Sequence, residues 1–384
     1  MRFAVDAHAI GRHLTGNEVY VRSLLSAFAD LDKKSEYLAY VSGAEGEAGI
    51  PSRFETRQIS ANPFVRLGFD LPRRLRIDRP SLLHVQYTAP LYCPVPTVVT
   101  VHDVSFLERP EYFTTGRAMQ LRITVARSVK RAARVLTVSE FARESIVRAY
   151  NLPPDKIVVT PYAASPSFRA INRTGAAQKV RDRFHLNRPY VLTVGDLQPR
   201  KNHIGLIRAF AKLMKDQPQL PHDLVLAGKD TWFAGRIREA ARESGLGGRI
   251  HFTGFVSDDD LLQLYNACDC FAFPSFYEGF GIPVLEAMAC GRAVVCSNAS
   301  AIPEVADSAA ILFDPENTEQ MVRALADVLK DSELCARMER LGLKHASHFS
   351  WRKTAEMTLK VYREVAGARV PREQHSRVAA GSRR

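Results

Sequence analysis

Residues 273–291, FPSFYEGFGIPVLEAMACG, combine a buried strand, a glycine-rich turn and the start of a helix. The apolar run that ends at Pro274 is typical of a buried strand, and Pro283 suits the first position of a helix, where its missing N–H costs no hydrogen bond. Glu278 lies in the turn and Glu286 about one turn into the helix, so both carboxylates can face a ligand at the helix N-terminus. Amides there favour phosphate, and carboxylates accept hydrogen bonds from sugar hydroxyls. Two solvated glutamates would show the same spacing, so the stretch alone leaves both interpretations open.

Strand-like and helix-like segments alternate in two series along the chain. In the first series, strands are predicted at 2–6, 37–41, 82–86, 97–101 and 135–138, with helices at 17–28, 117–133 and 141–150. In the second, strands are predicted at 190–194, 224–227, 250–253, 270–274, 293–296 and 310–313, with helices beginning near residues 202, 231, 257, 283 and 318. This alternation predicts two α/β halves in tandem, each a doubly wound parallel sheet. Because such sheets bind ligands beyond the carboxyl ends of their strands, two facing sheets would enclose a cleft.

The domain organisation follows from where the alternation stops. A chain of 384 residues exceeds what one hydrophobic core usually supports. The alternation lapses after residue 160 and restarts near residue 188, so we predict a first domain at 1–165, a linker at 166–187 and a second domain at 188–348. An amphipathic helix is expected at 349–365, followed by a basic tail at 366–384 that is expected to be disordered.

The amino-acid composition indicates which class of protein this chain resembles. Hydrophobic residues make up 46 % of the chain and charged residues 24 %, as in globular proteins with ample core material. No apolar run reaches membrane-spanning length, and the N-terminus enters a strand without a signal peptide, so a cytoplasmic location is expected. The six cysteines show no Cys-x-x-Cys pair and no histidine at zinc spacing. They are interpreted as reduced core residues, and no metal site is expected.

The net charge of +12 favours an anionic partner, and nucleic acid, anionic lipid and a phosphorylated substrate all fit. Basic residues cluster at 66–79, at 117–134 and in the tail. In the second cluster they alternate with apolar residues in a helical pattern that could rest on an anionic membrane, although a solvated helix face gives the same pattern. These clusters lack interleaved aromatic platforms on which bases could stack, and no helix-turn-helix or zinc pattern occurs, which argues against a nucleic-acid-binding module.

Two further groups of polar residues end predicted strands. After the first strand of the second half, Gly195 permits a turn, and Arg200 and Lys201 place two cations where a diphosphate could bind without a metal. In the first half, His102 and Asp103 end a strand that faces the same predicted cleft, where the imidazole could hydrogen-bond a sugar hydroxyl or a reacting group. A charged turn and a strand-ending cap are the plainer interpretations of the two groups.

Taken in order, these motifs resemble the retaining glycosyltransferases of family 4, from Val5 to about Tyr362. The resemblance is carried by the Gly16 loop, by 100–103, 137–139 and 199–202, by the stretch from Glu278 to Glu286, and by 302–305. It implies a GT-B architecture: two Rossmann-like domains facing across a cleft and a C-terminal helix that crosses back to the first domain. The first domain would hold the acceptor and the second the nucleotide-sugar. No divalent metal or other cofactor would be needed.

The resemblance also implies roles for individual residues. Glu278 would bind hydroxyls of the donor sugar, Glu286 the ribose, and Arg200 and Lys201 the diphosphate, while His102 would lie beside the transferred sugar. The catalytic set is therefore His102, Arg200, Lys201 and Glu278. The donor-binding set is Gly16, Gly195, Val256, Phe280, Gly281, Ile282 and Glu286. Asp103 would lie on the acceptor side.

Residues 100–107 and 110–113 look most like bacterial mannosyltransferases of surface-polysaccharide assembly. That likeness favours GDP-mannose over a UDP-sugar as donor and implies a glycan or lipid-linked acceptor, with peripheral contact at the anionic inner face of the membrane. Asp196 departs from the family, since some relatives carry a phosphate-binding arginine there, and the first loop has only one of two glycines. A sugar-nucleotide epimerase of similar architecture and a non-catalytic nucleotide-sugar-binding member remain alternatives.

Overall fold

The computed structural model describes residues 1–12 and 15–367, and its first domain is built on a seven-stranded parallel sheet. The strand order is β3-β2-β1-β4-β5-β6-β7. The strands are β1 (Arg2–Asp6), β2 (Glu36–Val41), β3 (Glu55–Gln58), β4 (Leu82–Gln86), β5 (Thr97–Thr100), β6 (Arg134–Thr137) and β7 (Ile157–Val159). The helices are α1 (Thr15–Leu31), α2 (Ala44–Ala48), α3 (Pro63–Val65), α4 (Leu71–Asp78), α5 (Ser105–Glu108), α6 (Thr115–Arg131) and α7 (Glu140–Tyr150). A π-helical turn, Arg66–Asp70, joins α3 to α4.

The second domain has six parallel strands in the order β10-β9-β8-β11-β12-β13. They are β8 (Tyr190–Val194), β9 (Asp223–Ala227), β10 (Ile250–Gly254), β11 (Cys270–Phe273), β12 (Val294–Ser297) and β13 (Ile311–Phe313). The helices that follow β7 are α8 (Arg173–Phe184), α9 (His203–Asp216), α10 (Ala234–Glu243), α11 (Asp258–Ala267), α12 (Ile282–Ala289), α13 (Ile302–Ala306), α14 (Thr318–Lys330), α15 (Ser332–Ala346) and α16 (Trp351–Gly367).

The predicted fold class is confirmed, because both sheets are parallel and covered by helices. Every residue of β4 and of β11 is buried, as expected for central strands packed on both faces. The sequence prediction did not include β3 or the helical segment between residues 63 and 78. β3 is a polar edge strand with sequence ETRQ, so it carries no apolar run to detect. Cys268, Cys270, Cys290 and Cys296 are buried thiols, whereas Cys93 and Cys335 are only partly buried.

The segment predicted as an interdomain linker contains a helix. Asn172 caps α8 by accepting a hydrogen bond from the Gly175 amide at 2.7 Å, and Ala176 and Val180 are its buried residues. The remaining positions of this helix are mostly charged or polar, so its sequence lacks the wide apolar stripe that predicts a helix. It packs against α11 of the second domain.

The final helix crosses back to the first domain, as predicted. At its start Trp351 stacks on Tyr162, with ring centroids 5.4 Å apart, and further along Tyr362 contacts the buried His84 of β4 with its hydroxyl 2.5 Å from Nδ1. The helix continues to Gly367, so the first two residues of the predicted tail are helical. The rest of that tail lies outside the described residues. Within residues 1–12 and 15–367, no helix combines the length and apolarity needed to cross a membrane.

Candidate active site

Three charged side chains meet at the carboxyl ends of β8 and β11. The Glu278 carboxylate accepts a hydrogen bond from the Arg200 guanidinium at 2.6 Å and, through its other oxygen, from the Lys201 ammonium at 2.8 Å. Arg200 also donates to the Tyr277 carbonyl at 2.9 Å, and the Lys201 ammonium lies 4.9 Å from the centre of the Phe273 ring. Two motifs that are distant in the sequence therefore form one cluster with a net positive charge.

The local backbone explains how the cations reach the glutamate. After β8, a 3₁₀ turn, Pro199–Lys201, ends at Asn202, which has a left-handed backbone (φ 54°) and caps α9 through its side chain. Gly195 (φ 153°) provides the space for Lys201, because a Cβ there would lie 3.0 Å from the lysine Cε. Phe276 donates its amide to the Arg200 carbonyl at 2.9 Å, which ties the turn to the loop of Glu278.

The electrostatics of the cluster favour an ionised Glu278. Burial disfavours its carboxylate, but the charges of Arg200 and Lys201 outweigh burial and lower the pKa of Glu278 to about 2. Burial lowers the pKa of Lys201 even though Glu278 opposes this, whereas Glu278 and Asp103 raise the pKa of Arg200 against the effect of burial. A carboxylate held this firmly by two cations is a weak base, and its negative charge keeps both cations oriented.

Glu286 lies one turn into α12, on the same side of the second sheet. Gly281 precedes this helix with a left-handed backbone (φ 111°), and Pro283 occupies the second helical position rather than the first. Glu286 is buried, and one of its carboxylate oxygens accepts a hydrogen bond from the Tyr265 hydroxyl at 2.9 Å. Burial raises the pKa of Glu286 to about 7. The two glutamates thus differ in charge environment: Glu278 is fully ionised at neutral pH, and Glu286 is partly protonated.

His102 lies across the cleft in the first domain and is buried among aromatic rings. Its Nε2 is 2.7 Å from the Gln86 side-chain oxygen, and its Nδ1 contacts the Tyr162 hydroxyl. Burial lowers the pKa of His102 to about 3, so the ring is neutral, with Nε2–H donating to Gln86 and Nδ1 accepting from Tyr162. Both ring nitrogens therefore have protein partners, and a substrate hydroxyl would have to replace one of them. The Asp103 carboxylate accepts hydrogen bonds from the amide of Ser105 at 2.9 Å and from its hydroxyl at 2.6 Å, so it is bound to the first residue of α5.

The two domains touch directly beside the charged cluster. A Cβ on Gly279 would lie 2.2 Å from the His102 carbonyl oxygen, so only glycine allows the two backbones to approach this closely. Ser139 donates its hydroxyl to the Gly279 carbonyl at 2.7 Å, and Tyr277 donates its own to Glu108 at 2.9 Å. These contacts bring the His102 end of β5 against the Glu278 loop.

A further interdomain contact involves Glu304 of α13. Its two carboxylate oxygens accept hydrogen bonds from the Glu140 amide at 2.9 Å and the Phe141 amide at 3.1 Å. These amides open α7 of the first domain, where a carboxylate also interacts favourably with the helix dipole. The second domain therefore caps a helix of the first.

The other predicted donor-binding residues lie in both domains. Phe280 is buried, and its ring packs edge-on against Tyr162 at 5.4 Å, so its side chain serves the domain contact. Ile282 opens α12, and Val256 is partly buried after β10. Gly16 lies in the first turn of α1, and a Cβ built on it would meet no described atom within 4 Å apart from its chain neighbours and the backbone of its own helix. Two neighbours in its loop, residues 13 and 14, lie outside the described residues.

Sequence reasoning missed the residues that hold the predicted ones in place: Gln86, Tyr162 and Tyr265. Gln86 ends β4 next to the strand of His102, so its position at a strand end was a usable signal. Tyr162 and Tyr265 lie in segments with no motif. Among the described residues, no group of three or more histidine, cysteine, aspartate or glutamate side chains is arranged to hold a metal ion.

Two protein families match this chain, and the boundary between the two matched regions falls between the two sheets. Residues 14–167 match the family Glycosyltransferase Family 4, and residues 177–345 match Glycosyl transferases group 1. The first match covers the His102 side of the cleft, and the second covers the cluster of Arg200, Lys201 and Glu278.

Individual proteins agree with the family matches. The chain is 35 % identical over 268 residues to the O-antigen chain mannosyltransferase B of Escherichia coli, which covers 69 % of this chain and 70 % of that protein. It is 30 % identical over 270 residues to the serotype-specific mannosyltransferase WbdA of the same organism, but spans only 33 % of that relative's length. The fold matches HepE of Anabaena, solved with UDP-glucose, with a TM-score of 0.75 over 94 % of this chain and 99 % of that one. At 17 % identity, this last likeness shows the fold alone.

Proposed function

The chain belongs to the glycosyltransferases of family 4, and from that premise we propose that it transfers a hexose from a nucleotide-sugar to a glycan or lipid-linked acceptor with retention of anomeric configuration. Mannose from GDP-mannose is the favoured donor, because two mannosyltransferases of Escherichia coli are 30–35 % identical to this chain. A UDP-sugar is the alternative donor. The observation that carries the proposal is the cluster of Arg200, Lys201 and Glu278 at the carboxyl ends of two neighbouring strands.

Donor binding follows from the charges of this cluster. Arg200 and Lys201 would bind the diphosphate, since a guanidinium and an ammonium offer several N–H donors to phosphate oxygens. Glu278 would then accept hydrogen bonds from hydroxyls of the sugar, and Glu286 from hydroxyls of the ribose. Gly281 and the start of α12 would offer backbone amides and the positive end of a helix dipole to the same ligand.

The reaction would proceed without a protein nucleophile. The bond between the sugar C1 and the diphosphate oxygen breaks, and a bond between C1 and the acceptor oxygen forms on the same face. The acceptor's proton passes to an oxygen of the leaving phosphate, so charge and atoms balance. Arg200 and Lys201 stabilise the negative charge that develops on the diphosphate. Glu278 is a poor base because its pKa is lowered to about 2, which agrees with a role in binding rather than in proton abstraction.

Nucleotide release with candidate donors and acceptors tests this function. We expect release of GDP from GDP-mannose to depend on the acceptor, and NMR of the product to show a retained anomeric centre.

Lys201→Ala should lower turnover at least about a hundredfold, as when one charged contact to a transition state is lost. Lys215→Ala, an exposed lysine of α9, is the matched control. Epimerised sugar-nucleotide formed without acceptor would establish the epimerase alternative. Binding without turnover of any donor would indicate a non-catalytic member.

We also propose that the protein works in the cytoplasm, in peripheral contact with the anionic inner face of the membrane. Residues 62–79 and 115–134 contain eleven arginine and lysine side chains and only two acidic ones, Asp70 and Asp78. Together with residues 89–92 they expose eight large apolar side chains: Phe64, Val65, Phe69, Ile77, Leu91, Tyr92, Met119 and Ile123. An apolar surface set among cations suits an anionic lipid surface.

Hydrogen bonds and ring contacts show that these three segments are neighbours. The Leu91 amide donates to the Leu67 carbonyl at 3.2 Å, and the Arg127 guanidinium of α6 donates to the Pro90 carbonyl at 3.1 Å. The Arg76 guanidinium lies 4.9 Å from the centre of the Tyr92 ring. The exposed residues therefore belong to one surface, which lies on the same domain as the proposed acceptor side.

Vesicle co-sedimentation tests the membrane contact. Binding to phosphatidylglycerol vesicles should exceed binding to phosphatidylcholine vesicles and weaken with salt. Replacing both Phe64 and Phe69 with serine should weaken it further, whereas Trp232→Ser, which removes another exposed ring on the second domain, should not. Salt-sensitive, sub-micromolar binding to random DNA without vesicle binding would instead support a nucleic-acid partner.

A further inference from the structure

We propose that Tyr265 is a positioning residue for nucleotide recognition: its hydroxyl holds one carboxylate oxygen of Glu286 and leaves the other to accept hydrogen bonds from the ribose. This inference rests on the ribose-binding role proposed for Glu286. It adds a residue of α11 that touches no substrate but sets the geometry and charge of the residue that does.

The tyrosine is held rigidly. Tyr265 is completely buried, and its ring packs edge-on against Phe168 and Phe271, with centroids 5.6 and 5.4 Å away. Its hydroxyl donates to Glu286 Oε2 at 2.9 Å. Because α11 and the strand carrying Phe271 are both fixed in the domain core, the hydroxyl defines where one end of the Glu286 carboxylate lies.

The second carboxylate oxygen is left for a ligand. Oε1 of Glu286 accepts no hydrogen bond from residues 1–12 or 15–367 of the protein, yet this atom is not fully buried. It therefore keeps access to solvent, although the residue as a whole is only 7 % exposed. A carboxylate with one oxygen anchored and one open can accept from a hydroxyl without losing its orientation.

The same hydrogen bond tunes the charge of Glu286. Burial is the largest influence on the pKa of Glu286 and raises it, and the hydrogen bond from Tyr265 opposes burial. Asp258 raises the pKa and Lys201 lowers it, and together these influences bring the pKa to about 7. Cys290, at the end of α12, is another titratable neighbour, and burial and the charge of Glu286 both raise the pKa of its thiol. Without the tyrosine hydroxyl the pKa of Glu286 should rise, so the residue would be protonated at neutral pH and would accept hydrogen bonds more weakly.

Calorimetric binding of nucleotides to the full chain tests this role. GDP, UDP and ADP are compared first, and the tightest binder is then titrated between pH 6 and 9 against wild type and Tyr265→Phe. Wild-type affinity should rise with pH through about 7 and then level off, because the ionised carboxylate is the better acceptor. Tyr265→Phe should bind about tenfold more weakly at pH 7, with the rise displaced to higher pH and much of the affinity recovered at pH 9.

Two controls separate positioning from folding. Tyr190→Phe removes another buried tyrosine hydroxyl of this domain, one that donates to the Leu264 carbonyl at 2.8 Å, and it should leave the pH profile unchanged. The 2′,3′-dideoxy form of the nucleotide should bind wild type and Tyr265→Phe equally, because it lacks the ribose hydroxyls. If Tyr265→Phe binds the normal nucleotide with the wild-type profile, or weakens both forms equally, the inference is overturned. If wild type binds none of the three nucleotides, the proposed function is overturned with it.

Discussion

Replacing Glu278 with glutamine should strengthen the binding of a nucleoside diphosphate while it removes most of the sugar transfer. In the free protein the Glu278 carboxylate is bound to both Arg200 and Lys201, the cations proposed to receive the donor diphosphate. Burial disfavours the carboxylate, yet these cations lower its pKa from 4.5 to about 2. That difference corresponds to on the order of 3 kcal/mol of net stabilisation of the ionised form.

The size of the binding effect follows from this figure. A diphosphate that takes over the two cations must displace part of their interaction with Glu278, and the glutamine variant has much less to displace. If about half of the interaction is given up, the diphosphate should bind roughly tenfold more tightly to the variant, since a tenfold change is about 1.4 kcal/mol. Turnover should fall at least about a hundredfold, because the donor sugar loses a charged contact.

Calorimetry with GDP and UDP measures the first effect, and nucleotide release in the presence of acceptor measures the second. Glu333→Gln, an exposed glutamate at the start of α15, serves as the control and should change neither. Weaker diphosphate binding by Glu278→Gln would refute the competition between carboxylate and diphosphate, and would show instead that Glu278 orders the cations for the ligand. Unchanged turnover would remove Glu278 from the catalytic set.

Four further outcomes are expected. Thermal melts should show that wild type loses its advantage over Glu278→Gln as pH falls from 4.5 towards 2, because a carboxylate with a lowered pKa stabilises the fold above its ordinary pKa and loses this contribution as it is protonated. Glu304→Ala removes the interdomain cap of α7 and should increase the radius of gyration measured by small-angle X-ray scattering; an unchanged radius would show that other contacts close the cleft. Tyr362→Phe leaves a buried nitrogen of His84 without its partner and should cost about 1–3 kcal/mol, seen as a lower melting temperature, whereas an equal melting temperature would contradict that cost. Activity should persist in EDTA, and strict dependence on added Mg²⁺ or Mn²⁺ would contradict the metal-free mechanism.

Much of the architecture was predictable from local patterns. Apolar runs of four to six residues alternating with amphipathic stretches identified most strands of both sheets, because central parallel strands are buried on both faces. The exceptions share a physical cause. The edge strand β3 and the helix α8 bury little, so their sequences carry no strong hydrophobic period. Their conformation is supported by neighbours, such as α11 against α8, rather than by their own composition.

The candidate site, like the fold, was predictable from the sequence only in part. The sequence by itself placed Glu278, Glu286, Arg200 and Lys201 at the carboxyl ends of the strands of one sheet, where the ligands of parallel sheets bind. The carboxylate and cationic side chains also indicated what kind of ligand the site could bind. It did not show that Glu278 binds both cations, nor that the ring nitrogens of His102 are already paired. Those contacts join positions far apart in the chain, 77 residues between Lys201 and Glu278, for example.

Only the tertiary structure decided how the two domains meet and which residues support the site. The hydrogen bond from Ser139 to the Gly279 carbonyl joins residues 140 positions apart, so the sequence pattern around either residue could not predict it. Likewise Tyr265 is an ordinary buried tyrosine in sequence and becomes a partner of Glu286 only when α11 packs beside α12. Strand and helix periods are properties of neighbouring residues, whereas charge pairing and burial depend on what folding brings together, so the sequence determined the type of site and the packing determined its charge and geometry.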